Sequence, residues 1–497
     1  MKIPLGVDYF DSKSNKKTII YLDTEKLINP HLLILGASGV GKSYTFRKMI
    51  QEGIKDNPKI RFHLFDVHGD LHVDGASTVR FSEQASHGLN PFKVNPSEDF
   101  GGVRKCIQNF IQIINKSGPN LGIRQEAVLR SLLEDVYKDF GFELNDSSTW
   151  SINEYESRLV SSGSDNRLYL QVPKAEKDRA KDFGARWEPT LSLWWIAADK
   201  YKGGITQWPP AYKERTYPNL KDVINHANRL YTERFLGSDQ KAVKALSDFI
   251  KTAKSYQKRL IDSLKSKNQD IFDEDIEASL ELSKAKAVEA YIGYVDSVKT
   301  GRELENLMKY DTPEVLKSVL NRLINLEGSG VFKNKLLPFD PACPVWRYDL
   351  KPLSREEKKM TVFFLLQELY YKAIERGESS DVVEVIVLDE LSTYTGGDDE
   401  NGDGIIGIIA REARKFGLGL WAADQSPKKI PEGLISSVGT KIVLGIDENF
   451  WDSTVSKFKM DLKLLNWIVP QETLALQLKE KGSVKSRWRW ASCYKYD

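Results

Sequence analysis

The chain has 497 residues, of which 41% are hydrophobic, enough for about two to four domains with real cores. Its 72 basic and 70 acidic side chains leave a net charge of +2, so overall charge does not point to a polyanion, and any nucleic-acid surface must be a local patch or a pore. Three cysteines, Cys106, Cys343 and Cys493, have no ligand spacing, which excludes a disulfide framework and a zinc site; no apolar run is long enough to cross a bilayer. Met1-Lys2-Ile3-Pro4 leads straight into a polar segment without a signal peptide, and the expectation is a cytoplasmic protein with reduced thiols and no membrane insertion.

Residues 1–30 are short and mixed. Thr18 to Leu22 reads as a strand and Asp23 to Asn29 as a turn or short helix, leaving little room for a separate N-terminal domain. Leu32-Leu33-Ile34-Leu35 reads as a buried strand, and Tyr44 to Ile50 has helical apolar spacing. Between them stands Gly36-Ala37-Ser38-Gly39-Val40-Gly41-Lys42-Ser43, the GxxxxGKS pattern of a phosphate-binding loop in the strand–turn–helix setting it requires. Glycines let successive N–H groups face an anion, and the new helix adds its free donors and the positive end of its dipole. The residues from Gly36 to Tyr44 are therefore the candidate nucleotide-binding set. Lys42 is expected to reach the β- and γ-phosphates, and Ser43 to ligate Mg²⁺.

Arg61 to Asp66 is another strand, ending in Val67-His68-Gly69-Asp70. Groups at the carboxyl ends of strands line the ligand crevice of doubly wound sheets, so Asp66 and His68 either stand near the phosphates and attacking water or simply cap a strand end. His63 alternates within the strand and reads as packed. Gly88 to Phe92 is a turn. Gly101 to Phe140 is helical, interrupted by Ser117-Gly118-Pro119-Asn120.

Composition shifts at Ser161-Ser162-Gly163-Ser164-Asp165. Leu168 to Pro173 and Leu193 to Ile196 read as strands around a charged helix from Lys174 to Phe183, and four of the 11 tryptophans (Trp187, Trp194, Trp195, Trp208) fall nearby. Residues 166–210 thus form a small α+β insert, either a compact aromatic core with a solvated lysine face or a nucleic-acid contact made through charge and stacking. The insert resembles a Trp-rich module appended to conjugative primase-like and topoisomerase-like proteins. A helical subdomain follows over 218–330. It is broken at Asn268-Gln269-Asp270, carries a Lys-rich face and includes Arg322 in a helix from Thr312 to Leu326.

Val345 to Leu350 is a strand and Glu356 to Ile374 a helix. Val382 to Leu388 then runs into Asp389-Glu390, a Walker B pattern on a strand buried on both faces. Asp389 is expected to hold Mg²⁺ and Glu390 to act as general base on the attacking water. Thr395 to Gly404 reads as a surface loop and Ile405 to Phe416 as a helix containing Arg411 and Arg414. Leu418 to Ala423 is a strand ending at Asp424-Gln425, where Gln425 would sense the γ-phosphate or orient water. Arg411, Arg414 and Arg322 are each either surface ion-pair partners or an arginine supplied to a neighbouring subunit's site. Lys441 to Ile446 is a further strand. Lys485 to Trp490 alternates basic and aromatic residues, which suits an edge strand with one charged face.

These residues resemble the HerA/FtsK branch of RecA-like motor ATPases, and HerA most. The match runs through His31 to Gly36, the phosphate loop, Phe65 to Asp70, Leu89 to Phe92, Tyr348-Asp349-Leu350, Leu388-Asp389-Glu390, Arg411 to Gly417 and Asp424 to Pro427. The resemblance implies an α/β fold with a RecA-like P-loop ATPase core split into 1–140 and 340–497, the insert and helical subdomain lying between. It also implies ATP and Mg²⁺ at subunit interfaces of a homo-oligomeric ring, a hexamer, that pumps duplex DNA beside an effector such as a nuclease. An ATP-gated scaffold for an effector and a soluble ATPase of a conjugative secretion system are the alternatives.

Overall fold

The structure, a computed structural model, describes all residues except 15, 153–156, 160–166, 189–191, 237–239, 267–273, 298–308, 396–403, 484–485 and 496–497. The linker expected at 161–165, the helix break at 268–270 and most of the loop expected over 395–404 lie outside the described residues.

In chain order the strands are β1 (Lys2–Asp8), β2 (Ile19–Asp23), β3 (Leu32–Leu35), β4 (Arg61–Asp66), β5 (Ser77–Arg80), β6 (Ser157–Leu159), β7 (Arg167–Leu170), β8 (Arg186–Glu188) and β9 (Leu193–Ala197). They continue as β10 (Tyr212–Glu214), β11 (Val345–Asp349), β12 (Ser379–Leu388), β13 (Phe416–Asp424), β14 (Thr440–Val443), β15 (Thr473–Leu478) and β16 (Trp488–Cys493).

The chain divides into two compact units. The first comprises residues 1–91, 112–120 and 328–497. It is built on an 11-stranded sheet in the order β2-β1-β16-β15-β14-β3-β13-β12-β4-β11-β5. From β14 to β5 every pairing is parallel; from β14 through β15, β16 and β1 to β2 every pairing is antiparallel. The parallel strands are short apolar runs because both faces are covered. All nine residues of β13 are buried, as are the four of β3. On one face Ile34, Phe62, Leu64, Val387 and Trp421 pack with Phe46, Met49 and Ile50 of the helix Lys42–Asp56.

Three local expectations change. The helix expected to reach Phe416 ends at Glu412; Ala413–Lys415 form one 3₁₀ turn, and β13 already starts at Phe416. The strand expected over Lys441–Ile446 ends at Val443, before the kink at Gly445, whose φ is +128°. The basic–aromatic segment ending at Trp490 is not an edge strand: β16 lies between β15 and β1, with Gly6 opposite Cys493. Residues 2–8, which showed no clear pattern, form the strand that covers it.

The second unit comprises residues 92–111 and 121–327. Its helices Ile123–Asp139 and Leu220–Leu236 pack together, and Gln240–Ser266 pairs with Glu274–Ser297 as a long hairpin. The insert forms a three-stranded antiparallel sheet, β7-β9-β8. Its core joins Leu170, Ala180, Trp194, Ile196 and Trp208. Trp195 lies beneath the guanidinium groups of Arg167 and Arg186, at 4.3 and 5.6 Å, while Trp187 is exposed. No helix among the described residues is long and apolar enough to cross a membrane.

Candidate nucleotide site

β3 ends at Leu35, and the turn that follows is shaped by two glycines with positive φ, Gly39 at +81° and Gly41 at +102°. The region is open to glycine at little steric cost. The start of the loop is tied down on both sides: the Gly36 N–H donates to the Asp424 carbonyl at 3.0 Å, and the Ala37 N–H to the Gly445 carbonyl at 2.7 Å. The helix then starts at Lys42 with no side chain on its free N–H groups, the arrangement that favours an anion. Lys42 Nζ donates to the Gly36 and Ala37 carbonyls, each at 3.0 Å. Tyr44 is half exposed, with Lys48 Nζ 6.0 Å from its ring.

Adjacent strands deliver the acids. β12 lies between β13 and β4, with Leu388 opposite Ala422 and Phe65, so Asp389, Asp424 and the turn after Asp66 emerge along the same edge as the loop. Asp389 is buried, and burial raises its carboxyl above the usual range, although the Glu390 N–H and the charge of Lys42 oppose this. Burial lowers the Lys42 amine, opposed by the surrounding charges of Asp389, Asp424, Glu390 and Asp70. One ammonium thus shares its field with four carboxylates. Ser43 Oγ donates to Asp70 Oδ2 at 3.0 Å.

Glu390 sits in left-handed backbone, φ +52° and ψ +55°, rare for a side chain of its size and a form of local strain concentrated at functional sites. Its Oε1 lies 3.0 Å from His68 Nε2. Asp66 does not face this group. It is fully buried and accepts from Gly69 N–H at 2.6 Å and from Arg347 Nε and Nη2 at 2.9 and 2.5 Å. It therefore fixes the turn that carries His68. His63 is packed, as its alternation implied, with Nδ1 3.0 Å from the Tyr348 hydroxyl.

Gln425 follows β13 directly and is exposed beside the loop. Arg411 and Arg414 lie elsewhere. Arg414 precedes the first residue of β13, so a nine-residue strand, about 30 Å long, separates it from the edge where the phosphate loop lies. Arg411 closes the preceding helix. Arg322 belongs to the second unit.

Two residues of the site were not singled out from sequence. Asp70 is one; it follows the turn that was. Asp424 is the other: buried, it accepts from Ser426 N–H at 2.8 Å and from Ser392 N–H, clamping the end of β13 to the turn after Glu390. The signal for it was an acid at the end of an apolar strand, the same pattern that exposed Asp389.

Among the described residues no three His, Cys, Asp or Glu side chains form a metal cluster. A hydroxyl and a buried carboxylate suit a hard cation that takes its remaining ligands from phosphate and water, as Mg²⁺ does. Ser43 and Asp389 fit that role.

A parallel sheet with a glycine loop after one strand and paired acids after another defines a RecA-like P-loop nucleotide-binding core. The family model for the central domain of helicase HerA matches residues 12–290, and the chain belongs to that family. It is similar to the DNA double-strand break repair helicase HerA of Pyrococcus furiosus, 26% identical over 219 residues that cover 37% of this chain and 40% of that protein. It is also similar to the probable DNA double-strand break repair helicase HerA of Methanocaldococcus jannaschii, 22% identical over 454 residues that cover 89% of this chain and 67% of that protein. The chain thus spans about two-fifths of the first relative's length. Among solved structures, VirB4 of Thermoanaerobacter pseudethanolicus shares the fold with a TM-score of 0.56 and 13% identity, over 99% of this chain and 96% of that one.

Proposed function

We propose that this protein is a HerA-like ATPase that couples ATP hydrolysis to movement along duplex DNA. It works as a homo-oligomeric ring, a hexamer, beside an effector such as a nuclease, in the cytoplasm. The observation that carries the reading is the convergence of Lys42 with Asp389 and Glu390, three residues from segments almost 350 positions apart in the sequence. The loop N–H groups from Gly36 to Tyr44 and Lys42 bind the phosphates. Ser43 and Asp389 hold Mg²⁺, which supplies charge neutralisation at the transferring phosphoryl group. Glu390, positioned by His68, takes the proton of the attacking water, and Gln425 orients that water or the terminal phosphate. Arg411 or Arg414 stabilises the transition state only in a neighbouring subunit's site, since the length of β13 keeps them from their own.

The test is ATP turnover of the full chain with and without duplex DNA, joined to particle mass with ATP and to strand-displacement or translocation assays. DNA-stimulated turnover by a ring supports the reading. Turnover indifferent to DNA and dependent on an effector replaces it with a gated scaffold.

A further inference from the structure

The hairpin of helices Gln240–Ser266 and Glu274–Ser297 takes no part in the nucleotide site. Among the described residues each helix is the other's main partner. A pair of helices in water needs one apolar stripe on each; these have two. Ala242, Phe249 and Tyr256 of the first helix, seven apart, are buried or half-buried, and so are Leu280, Ala287 and Tyr294 of the second. These are the facing positions. One step on, again at sevens, come Val243 and Ile250 in the first helix and Val288 and Val295 in the second, with Ile292 alongside. Val288, Ile292 and Val295 are more than half exposed, and Ile250 nearly half.

One residue along a helix is a rotation of about 100°. The sense of that rotation reverses between antiparallel helices that face each other, so both second stripes come round to the same flank of the hairpin. That flank is a continuous apolar strip, a surface that marks an interaction site. Its edges are charged. Lys251 and Lys258, of the Lys-rich face, stand at the first helix's outer edge; Glu289 stands one step beyond Val288, and Glu281 extends the line of Val288 and Val295. All four are exposed. Contacts within single helices, Lys251 Nζ to Asp248 at 4.0 Å and Lys284 Nζ to Glu281 at 3.2 Å, are exposed and weak. Ser266 and Glu274 bound the hairpin's turn. Equal steps back from one and on from the other bring Lys251 level with Glu289, and Lys258 level with Glu281 to within one residue.

We propose that this strip docks on the same strip of a second copy of the chain, about a two-fold axis running along the hairpin, so that two hairpins close a four-helix bundle. On that axis the first helix of one copy lies beside the second helix of the other, at the same level. Ile250 then meets the partner's Val288 and Ile292, and the two lysines meet the partner's Glu289 and Glu281, twice over in the bundle. The opposite charges of the two edges choose the occupant: a polyanion is repelled by one edge and a polycation by the other, whereas the hairpin complements itself. The contact is isologous, so it is distinct from the head-to-tail contact that a ring repeats, and it asks nothing of the nucleotide site.

The test links chains. Full chain carrying Ile250→Cys is co-expressed with a differently tagged full chain carrying Val288→Cys and treated with a short bismaleimide, chains without an added cysteine giving the baseline. A link between the two tags joins two copies. It should form, and Ile250→Cys should link to its own kind about tenfold less, because the first helices lie diagonally across the bundle. Lys251→Glu with Lys258→Glu in both chains should cut linking about tenfold, as should Glu281→Lys with Glu289→Lys in both. Placing the first pair of changes in the Ile250→Cys chain and the second pair in the Val288→Cys chain matches the edges again, and linking should return to within about twofold of the original. That recovery also shows that both altered chains fold. No link between the unaltered edges gives the strip to another protein and overturns the proposal. So do self-linking of Ile250→Cys as strong as its link to Val288→Cys, reversed edges that link like the originals, and mixed reversals that fail to restore the link.

Discussion

His68 Nε2 and Glu390 Oε1 stand 3.0 Å apart, linking the turn after β4 to the end of β12. The contact holds the carboxylate from the side, while the left-handed backbone of Glu390 sets its base. Removing the imidazole should leave the acid in place but unaligned. His68→Ala should therefore lower kcat about tenfold with KM within about twofold, and His68→Gln, which keeps a donor, should recover part of the rate. A KM effect alone would make the contact structural.

Lys42→Ala should abolish ATP turnover, with a loss of about a hundredfold or more. Glu390→Gln should still bind ATP and hydrolyse it poorly. Steady-state turnover paired with nucleotide binding distinguishes the two, and normal turnover in either variant removes that residue from the mechanism.

The Asp66–Arg347 pair is almost wholly excluded from water, with side chains 0% and 9% exposed. Arg347→Met leaves a buried carboxylate with one backbone donor and should cost about 3–5 kcal/mol of stability, read as a lower midpoint in urea. Because Asp66 also holds the Gly69 N–H, the survivor should lose His68 alignment and turn over slowly.

His31 introduces a pH dependence. It is buried, and burial, then the charge of Arg414, lowers its pKa from 6.5 to about 4. Its Nδ1 accepts from the Leu420 N–H at 3.0 Å, which requires the unprotonated ring. The unfolded chain takes up this proton first as pH falls, so the stability from neutral His31 is complete above pH 6.5 and drains away toward about pH 4. The loss should reach about 3 kcal/mol. His31→Asn should flatten the urea midpoint across that window; an unaltered slope would refute the assignment.

The phosphate loop was legible because its signal is local: a strand, eight residues and a helix start need no distant partner. Asp389-Glu390 was legible once the loop was known, since the apolar run before it has few other uses. Asp424 was not assigned a role because its partners include Ser392, 32 positions away in sequence, and nothing in the local pattern of either predicts the other. The same reason hid the place of β16. Alternating Arg and Trp suits an outer strand, and only the pairing of Gly6 with Cys493 makes it an inner one. The end of the helix at Glu412 was missed because Ala413-Arg414-Lys415 are good helix formers; the packing of β13 from Phe416 overrides them.

The seam between β1 and β16 has a consequence for synthesis. The parallel strands from β3 to β14 are all made before residue 444 and can assemble as the ribosome proceeds. β1 cannot finish its ladder until β16, residues 488–493, emerges, because its outer neighbour β2 satisfies one side only. Until residues 488–493 are made, β1 offers an open edge on that side, the kind that pairs with foreign chains. It is the β15–β16 hairpin that joins the two parts of the sheet.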